Sequence, residues 1–194
     1  MNETPEETDQ DARNISRRGF VRIVRDSAVV LMLPQALGCR RFGSDDKHPA
    51  VATDEATHAI YELKFLTNEE TATVDAVTAR IIPSDERPGA REGRVVHFID
   101  HLLATSNTIQ QRLYREGLQQ LNRLCQSRFK VQFANLSEAE QDKVLAQMER
   151  REIPEWREAG DFFSTIRNHT IEGMFSDPKY HGNAGRVGWG LMGV

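Results

Sequence analysis

The strongest constraint on the fold is a series of helix-start signals, each followed by apolar residues at three- and four-residue spacing. Thr67 with Glu70, and Ser137 with Glu140, match the capping box, in which each side chain satisfies a backbone N–H of the other residue. Apolar residues then recur with the helical period at Val74, Val77 and Ile81, and at Val144, Leu145 and Met148. The alternation typical of strands nowhere exceeds about four residues. The sequence therefore predicts an all-α protein.

Three further segments each have one apolar face. A loop at Pro88 and Gly89 precedes the second helix, the third spans about Ile109 to Phe129, and Pro154 is expected in the first turn of the last helix. The three apolar faces consist of Val95, Ile99, Leu102 and Leu103; of Tyr114, Leu118, Leu121 and Cys125; and of Phe162, Ile166, Thr170 and Gly173. We therefore expect a small bundle of about five helices around one core.

The last eighteen residues, 177–194, have a different composition. They contain five glycines and Pro178, which disfavour a regular helix, together with large side chains such as Tyr180 and Trp189. This composition predicts an extended C-terminal arm that packs either on its own bundle or on a partner protein. For the partner interpretation, the predicted contact residues are Asp177, Pro178, Tyr180, Gly182, Asn183, Val187, Gly188 and Trp189.

The N-terminal part of the chain has the features of an export signal. Residues 1–13 are polar and acidic, and are expected to be disordered. The pattern of a twin-arginine signal is then filled by Ser16, Arg17, Arg18 and Phe20. The apolar run 27–33 is far shorter than the roughly 20 residues that span a bilayer, but it suits the apolar region of a signal. This order favours a signal over a helix that carries two arginines on a solvated face.

The predicted boundaries follow from this signal. Cleavage is expected before Cys39, because Ala36 and Gly38 suit a signal peptidase. The chain then divides into a tail and signal at 1–38, a charged linker at 39–64 and a helical domain at 65–194. Lipidation of Cys39 is an alternative, which would make the protein a lipid-anchored scaffold, although Ala36 and Leu37 fit a lipoprotein site poorly.

Composition argues against several classes of function. A net charge of −4 and a pI near 5.9 give no basis for nucleic-acid binding. The two cysteines are too few for a disulfide framework or a metal cluster, and Cys125, on an apolar stripe, is expected to be a buried thiol rather than half of an intermolecular disulfide. The C-x-x-C-H motif of c-type haem is absent, and no G-x-G-x-x-G motif follows a strand-like run, as a dinucleotide site would require. Any redox centres are therefore expected on another chain.

Some polar residues nevertheless have spacings that suit catalysis. His97, Asp100 and His101 share one helix face as metal ligands would, and the rival function is a free-standing metal-dependent enzyme that uses His97 and His101. A polar helix edge is the favoured interpretation, because no fourth ligand is evident. His169 and His181 flank an acidic residue, but we expect the polar groups around His169 to bond to the backbone of the arm rather than to act in catalysis.

Several motifs together are those of a known family. They are Phe162-Phe163, the ranges 169–173 and 177–180, Gly182-Asn183, 187–189 and Gly193, with further matches at 65–67, 80–85, 88–92 and 98–100. In these residues the chain resembles the gluconate 2-dehydrogenase small-subunit (subunit 3) family. His181 departs from the family pattern, which has a second glycine there, and histidine tolerates a positive φ less well than glycine does.

The resemblance implies a non-catalytic small subunit, without a cofactor of its own, in a periplasmic, membrane-associated sugar or sugar-acid dehydrogenase. In such complexes a large flavoprotein of the glucose–methanol–choline class holds FAD and oxidises the substrate. A c-type cytochrome subunit with haem, where present, takes the electrons onward. The small subunit supplies the twin-arginine signal, so that the flavoprotein passes through the twin-arginine translocase with it, and it stabilises the flavoprotein.

Overall fold

A computed structural model describes residues 61–193 of the chain. The predicted signal at 1–38, Cys39 and most of the predicted linker lie outside the described residues. Within the described part the fold is all-α, as predicted, and no helix there is long and apolar enough to cross a bilayer. The helices are α1 (Asn68–Ile81), α2 (Val95–Thr105), α3 (Thr108–Phe129), α4 (Glu138–Glu149), α5 (Ala159–Phe175) and α6 (Val187–Met192).

Side-chain capping marks the start of three of the six described helices, namely α1, α3 and α4. The predicted capping boxes are confirmed, with the N–H of Thr67 donating to Glu70 at 2.9 Å and that of Ser137 to Glu140 at 3.0 Å. The prediction for Pro154 is wrong, since α5 begins at Ala159. Pro154 lies instead in the turn after α4, which is anchored by the buried side chain of Trp156.

Helix α5 is the centre of the bundle and contacts each of the other five described helices. Phe162 and Ile166 on its buried face meet a core to which α2 and α3 contribute the large buried side chains Ile99, Leu103 and Tyr114. Burying an aliphatic or aromatic side chain of this size contributes roughly 1.5–3 kcal/mol. Apart from Leu102, which is only half-buried, the predicted apolar faces therefore form one core, and Cys125 is buried in it as a free thiol.

The C-terminal segment differs from its prediction as an extended arm. Residues Pro178–Tyr180 and Ala184–Arg186 form short 3₁₀ turns, and α6 follows directly. Left-handed backbone at His181, Asn183 and Gly185 reverses the chain between these turns. The glycines do not prevent α6 because packing against α5 outweighs the low helix propensity of so short a segment.

Candidate functional site

Residues 61–66, here called the strap, are hydrogen-bonded to α2 through Asp100. Its fully buried carboxylate accepts bonds from the N–H groups of Leu66 at 2.7 Å, Lys64 at 2.8 Å and Phe65 at 3.0 Å, and from the Tyr61 hydroxyl at 2.8 Å. Burial opposes ionisation, but these donors hold the pKa of Asp100 below its ordinary value. Asp100 is therefore a structural anchor for the strap. The predicted boundary between linker and helical domain, at Phe65, falls inside this strap.

Four aromatic rings from the strap, α2 and the C-terminal segment meet beside Asp100; we call them the ring cluster. Tyr61 stacks on His97 with ring centres 4.5 Å apart, and it lies 5.0 Å from the ring of His181. His181 in turn meets His101 edge-on at 4.8 Å. The Nδ1 atom of His101 is buried and has no hydrogen-bond partner in the described part of the chain. The cluster thus joins the two ends of the described chain to one helix.

The structure gives no support to the metal-site alternative at His97 and His101. Asp100, the residue between them, already accepts four hydrogen bonds from the strap, and the ring of His97 stacks on Tyr61. Among residues 61–193, no group of three His, Cys, Asp or Glu side chains could hold a metal ion. The shared helix face that the sequence predicts is present. Its side chains attach the strap to α2, and they also attach the turn at residues 178–181, here called the C-terminal turn.

His169 of α5 bonds to α3 rather than to the backbone of the C-terminal segment, which corrects our expectation. Its Nδ1 lies 2.8 Å from the hydroxyl of the fully buried Tyr114, and its Nε2 lies 3.0 Å from the side-chain nitrogen of Gln110. If Gln110 donates to Nε2, then Nδ1 carries the proton and donates to Tyr114. Burial lowers the pKa of His169, so that the neutral ring is favoured. Both ring nitrogens are occupied by protein groups.

The C-terminal segment 177–193, which we call the tail, is bonded to the end of α5. Buried Asn183 donates from Nδ2 to the carbonyl of Ser176 at 2.9 Å, and its Oδ1 accepts from the N–H of Gly188 at 2.8 Å. The indole N–H of Trp189 donates to the carbonyl of Phe175 at 2.9 Å. One face of the tail therefore packs on its own bundle, the first of the two alternatives left open by the sequence.

The residues predicted to contact a partner divide between the two faces of the tail. Gly182, Asn183 and Gly188 are buried, and a Cβ at either glycine would collide with a carbonyl oxygen of α5. Asp177 and Tyr180 are exposed, while Pro178, Val187 and Trp189 are half-buried. Met192, which the prediction did not include, is 56% exposed, compared with 46% for Tyr180. The outer face of the tail thus offers large apolar groups to solvent.

A polar groove of about 550 Å³ runs between the first turn of α1 and α3. Glu70 and Arg115 form an ion pair in its wall, and Arg115 also donates to the carbonyl of Phe65 at 2.7 Å. Hydrogen bonds to Thr67 and Arg115 hold the pKa of Glu70 low despite its burial. These charges are used to fix the strap and the start of α1.

The sequence model of the family described as gluconate 2-dehydrogenase subunit 3 matches residues 68–194. The chain belongs to this family. The family is that of a subunit of gluconate 2-dehydrogenase, which implies a multi-subunit complex. Comparisons with curated proteins and with solved structures give no significant match.

The residues matched by the subunit 3 family model begin at residue 68, so they include Asp100 but not the strap that Asp100 anchors. Tyr61 is accordingly the site residue that our sequence interpretation missed, because it lies in the segment assigned to the linker. A large aromatic residue in an otherwise charged linker was the available signal. Asn183 was assigned to a partner contact, whereas its buried amide holds the tail of this subunit 3 chain in place.

Proposed function

We propose that this chain is the non-catalytic small subunit of a periplasmic, membrane-associated dehydrogenase that oxidises a sugar or sugar acid. The family match over residues 68–194 is the observation that carries the proposal. FAD would be held by a large subunit of the glucose–methanol–choline class, and haem c by a cytochrome where a third subunit is present. This chain would stabilise the large subunit and would accompany it through export.

The chemistry of the buried polar groups supports an accessory role. Asp100 and His169 direct their hydrogen-bonding atoms to the strap and to α3. Burial raises the pKa of the Cys125 thiol to about 11, so that the reactive thiolate is scarce at neutral pH. These three side chains would otherwise be the usual candidates for a base, an acid or a nucleophile.

The export role rests on the sequence before the described residues. Ser16, Arg17, Arg18 and Phe20 fill the twin-arginine pattern, and the resemblance implies a partner carried by this signal. A flavoprotein that must acquire FAD before export would benefit from a route that accepts folded cargo. We propose that the two subunits assemble first and that the signal on this chain then directs the complex to the periplasm.

The outer face of the tail is our proposed contact with the flavoprotein. Exposed large apolar side chains commonly mark protein contacts, and aromatic residues contribute strongly to binding. From the predicted contact set, Asp177, Pro178, Tyr180, Val187 and Trp189 have surface available for such a contact. The buried members Gly182, Asn183 and Gly188 would act by holding this surface in shape.

Affinity purification of the tagged full chain from its own host tests the proposal. We expect a large subunit that contains FAD to co-purify, and substrate-dependent reduction of an artificial electron acceptor to accompany the complex. The chain purified alone should bind no flavin and should show no such activity. Dehydrogenase activity in the isolated chain, or a complex without a flavoprotein, would contradict the proposal. An untagged strain serves as the control for non-specific recovery.

A further inference from the structure

We propose that the ring cluster is an acid-sensitive latch, which fastens the strap and the C-terminal turn to α2 at neutral pH and releases both on acidification. Its members are Tyr61, His97, His101 and His181. Such a device is additional to the accessory function proposed above and does not depend on it.

His181 is the member whose backbone points most directly to this role. Its φ of 71° lies in the left-handed region, which disfavours residues that carry a Cβ. The histidine therefore carries a backbone cost that glycine would avoid at this position. What the side chain provides in return is its ring, placed against both Tyr61 and His101. Local strain that persists for a side-chain contact is characteristic of functional positions.

The cluster is also the place where the two ends of the described chain are joined. Tyr61 belongs to the strap and touches both His97 of α2 and His181 of the tail. Its hydroxyl donates to Asp100, which holds the rest of the strap. Loss of the Tyr61–His181 contact would therefore weaken the attachment of the strap and of the turn at the same time.

Protonation acts against this packing. The surrounding charged groups are Lys64 of the strap, Asp75 of α1, and Arg94 and Asp100 at α2. Burial lowers the pKa of His97 and Arg94 lowers it further, whereas Asp100 and Asp75 partly offset these effects. His181 is exposed overall, and partial burial of its ring, together with His101 and Lys64, lowers its pKa.

The direction of the pH effect follows from these shifts. A histidine whose pKa is lower in the closed state takes up protons more readily when the latch is open. The closed latch is therefore fully favoured above the ordinary histidine pKa of about 6.5, and it weakens as the pH falls below that value. Opening of the strap and of the turn should consequently increase between about pH 7.5 and pH 5.5.

Hydrogen exchange of the full chain, corrected for the pH dependence of intrinsic exchange, measures this opening directly. We expect protection of the Lys64, Phe65 and Leu66 amides to fall by about tenfold or more between pH 7.5 and pH 5.5. Amides in the middle of α3 should remain better protected than those of the strap at both pH values, because the strap opens without unfolding of the bundle. Unchanged protection of the strap, or strap protection equal to that of α3 at both pH values, would overturn the proposal.

Two variants make the test specific to the cluster. His181→Gly removes the ring and suits the positive φ, so it should fold normally and reduce the pH response of the strap to the part that His97 contributes. His101→Gln removes the ring that His181 meets edge-on and that helps to lower the pKa of His181, so it should also reduce the response. His169→Gln, a change outside the cluster, should leave the response in place. A full response that survives in both His181→Gly and His101→Gln would refute the latch.

Discussion

The backbone N–H of Leu66 donates a 2.7 Å hydrogen bond to the buried carboxylate of Asp100, 34 residues further along the chain. Two more N–H groups of the strap and the Tyr61 hydroxyl share the same carboxylate. One side chain of α2 therefore fixes the path of the chain before α1 begins. The folded domain includes residues that precede its first helix.

Asp100→Asn should be strongly destabilising. An amide offers one acceptor oxygen and would direct N–H groups toward donors of the strap, so buried N–H groups would be left unpaired. We expect the free energy of unfolding to fall by about 3 kcal/mol, compared with about 1 kcal/mol for Tyr61→Phe, which removes one donor. Urea unfolding monitored by circular dichroism measures the free energy of unfolding of both variants. Equal effects of the two changes would argue against Asp100 as the anchor.

Trp189 and Tyr180 should have separable roles. Trp189→Ala removes the indole bond to Phe175 and part of the packing on α5, so we expect a loss of about 2–3 kcal/mol in stability. Tyr180→Ala should leave the melting temperature nearly unchanged and weaken binding to the flavoprotein by about tenfold. Ile109→Ala is the control, since this residue is 70% exposed and lies outside the tail. Normal binding by Tyr180→Ala would show that the contact with the flavoprotein lies elsewhere on the chain.

Two glycines of α6 should respond oppositely to the same substitution. A Cβ at Gly188 would collide with the Met174 carbonyl, so Gly188→Ala should displace the tail and lower the melting temperature by several degrees. Gly190 has open space around its Cβ position and lacks a positive φ, so Gly190→Ala should stabilise by about 0.5–1 kcal/mol. Calorimetry of both variants checks the packing of the tail. A similar effect of the two would mean that the tail is not packed as described.

Stability should decline with acidification in two stages. The pKa values of His97, His169 and His181 are lower in the folded state, so their contribution is complete above about pH 6.5 and is lost as the pH falls below it. The pKa of Asp100 is also lowered, so its contribution is present above about pH 4 and is lost as the pH falls further. Urea midpoints measured across this range test the order. A midpoint that rises between pH 7 and pH 5 would contradict it.

The export proposal predicts that Arg17→Lys combined with Arg18→Lys keeps both this chain and its flavoprotein in the cytoplasm. The arginine pair is the defining part of the signal pattern, and lysine keeps the charge without the guanidinium group. Cell fractionation with an antibody to each subunit measures the outcome. Deletion of residues 1–38 should give the same location without loss of helical circular dichroism, because the described domain begins later. Periplasmic recovery of the double variant would refute the signal.

The helices themselves were predictable because their signals are local. The capping boxes at Thr67 and Ser137 require a partner three residues away, and the apolar faces repeat within a few turns. Interactions between residues within one or two helical turns of each other leave a pattern in a short stretch of sequence, so a single sequence is enough to find them.

The candidate site depended on contacts that no local pattern encodes. Tyr61 was placed in a linker, and its bond to Asp100 spans 39 positions. The tail was expected to extend because of its glycines, yet the buried amide of Asn183 and the carbonyls at the end of α5 fold it into turns and a short helix. Propensity and periodicity describe the backbone that a segment prefers, whereas the position of the strap and tail is decided by which buried donors and acceptors meet after the bundle has formed.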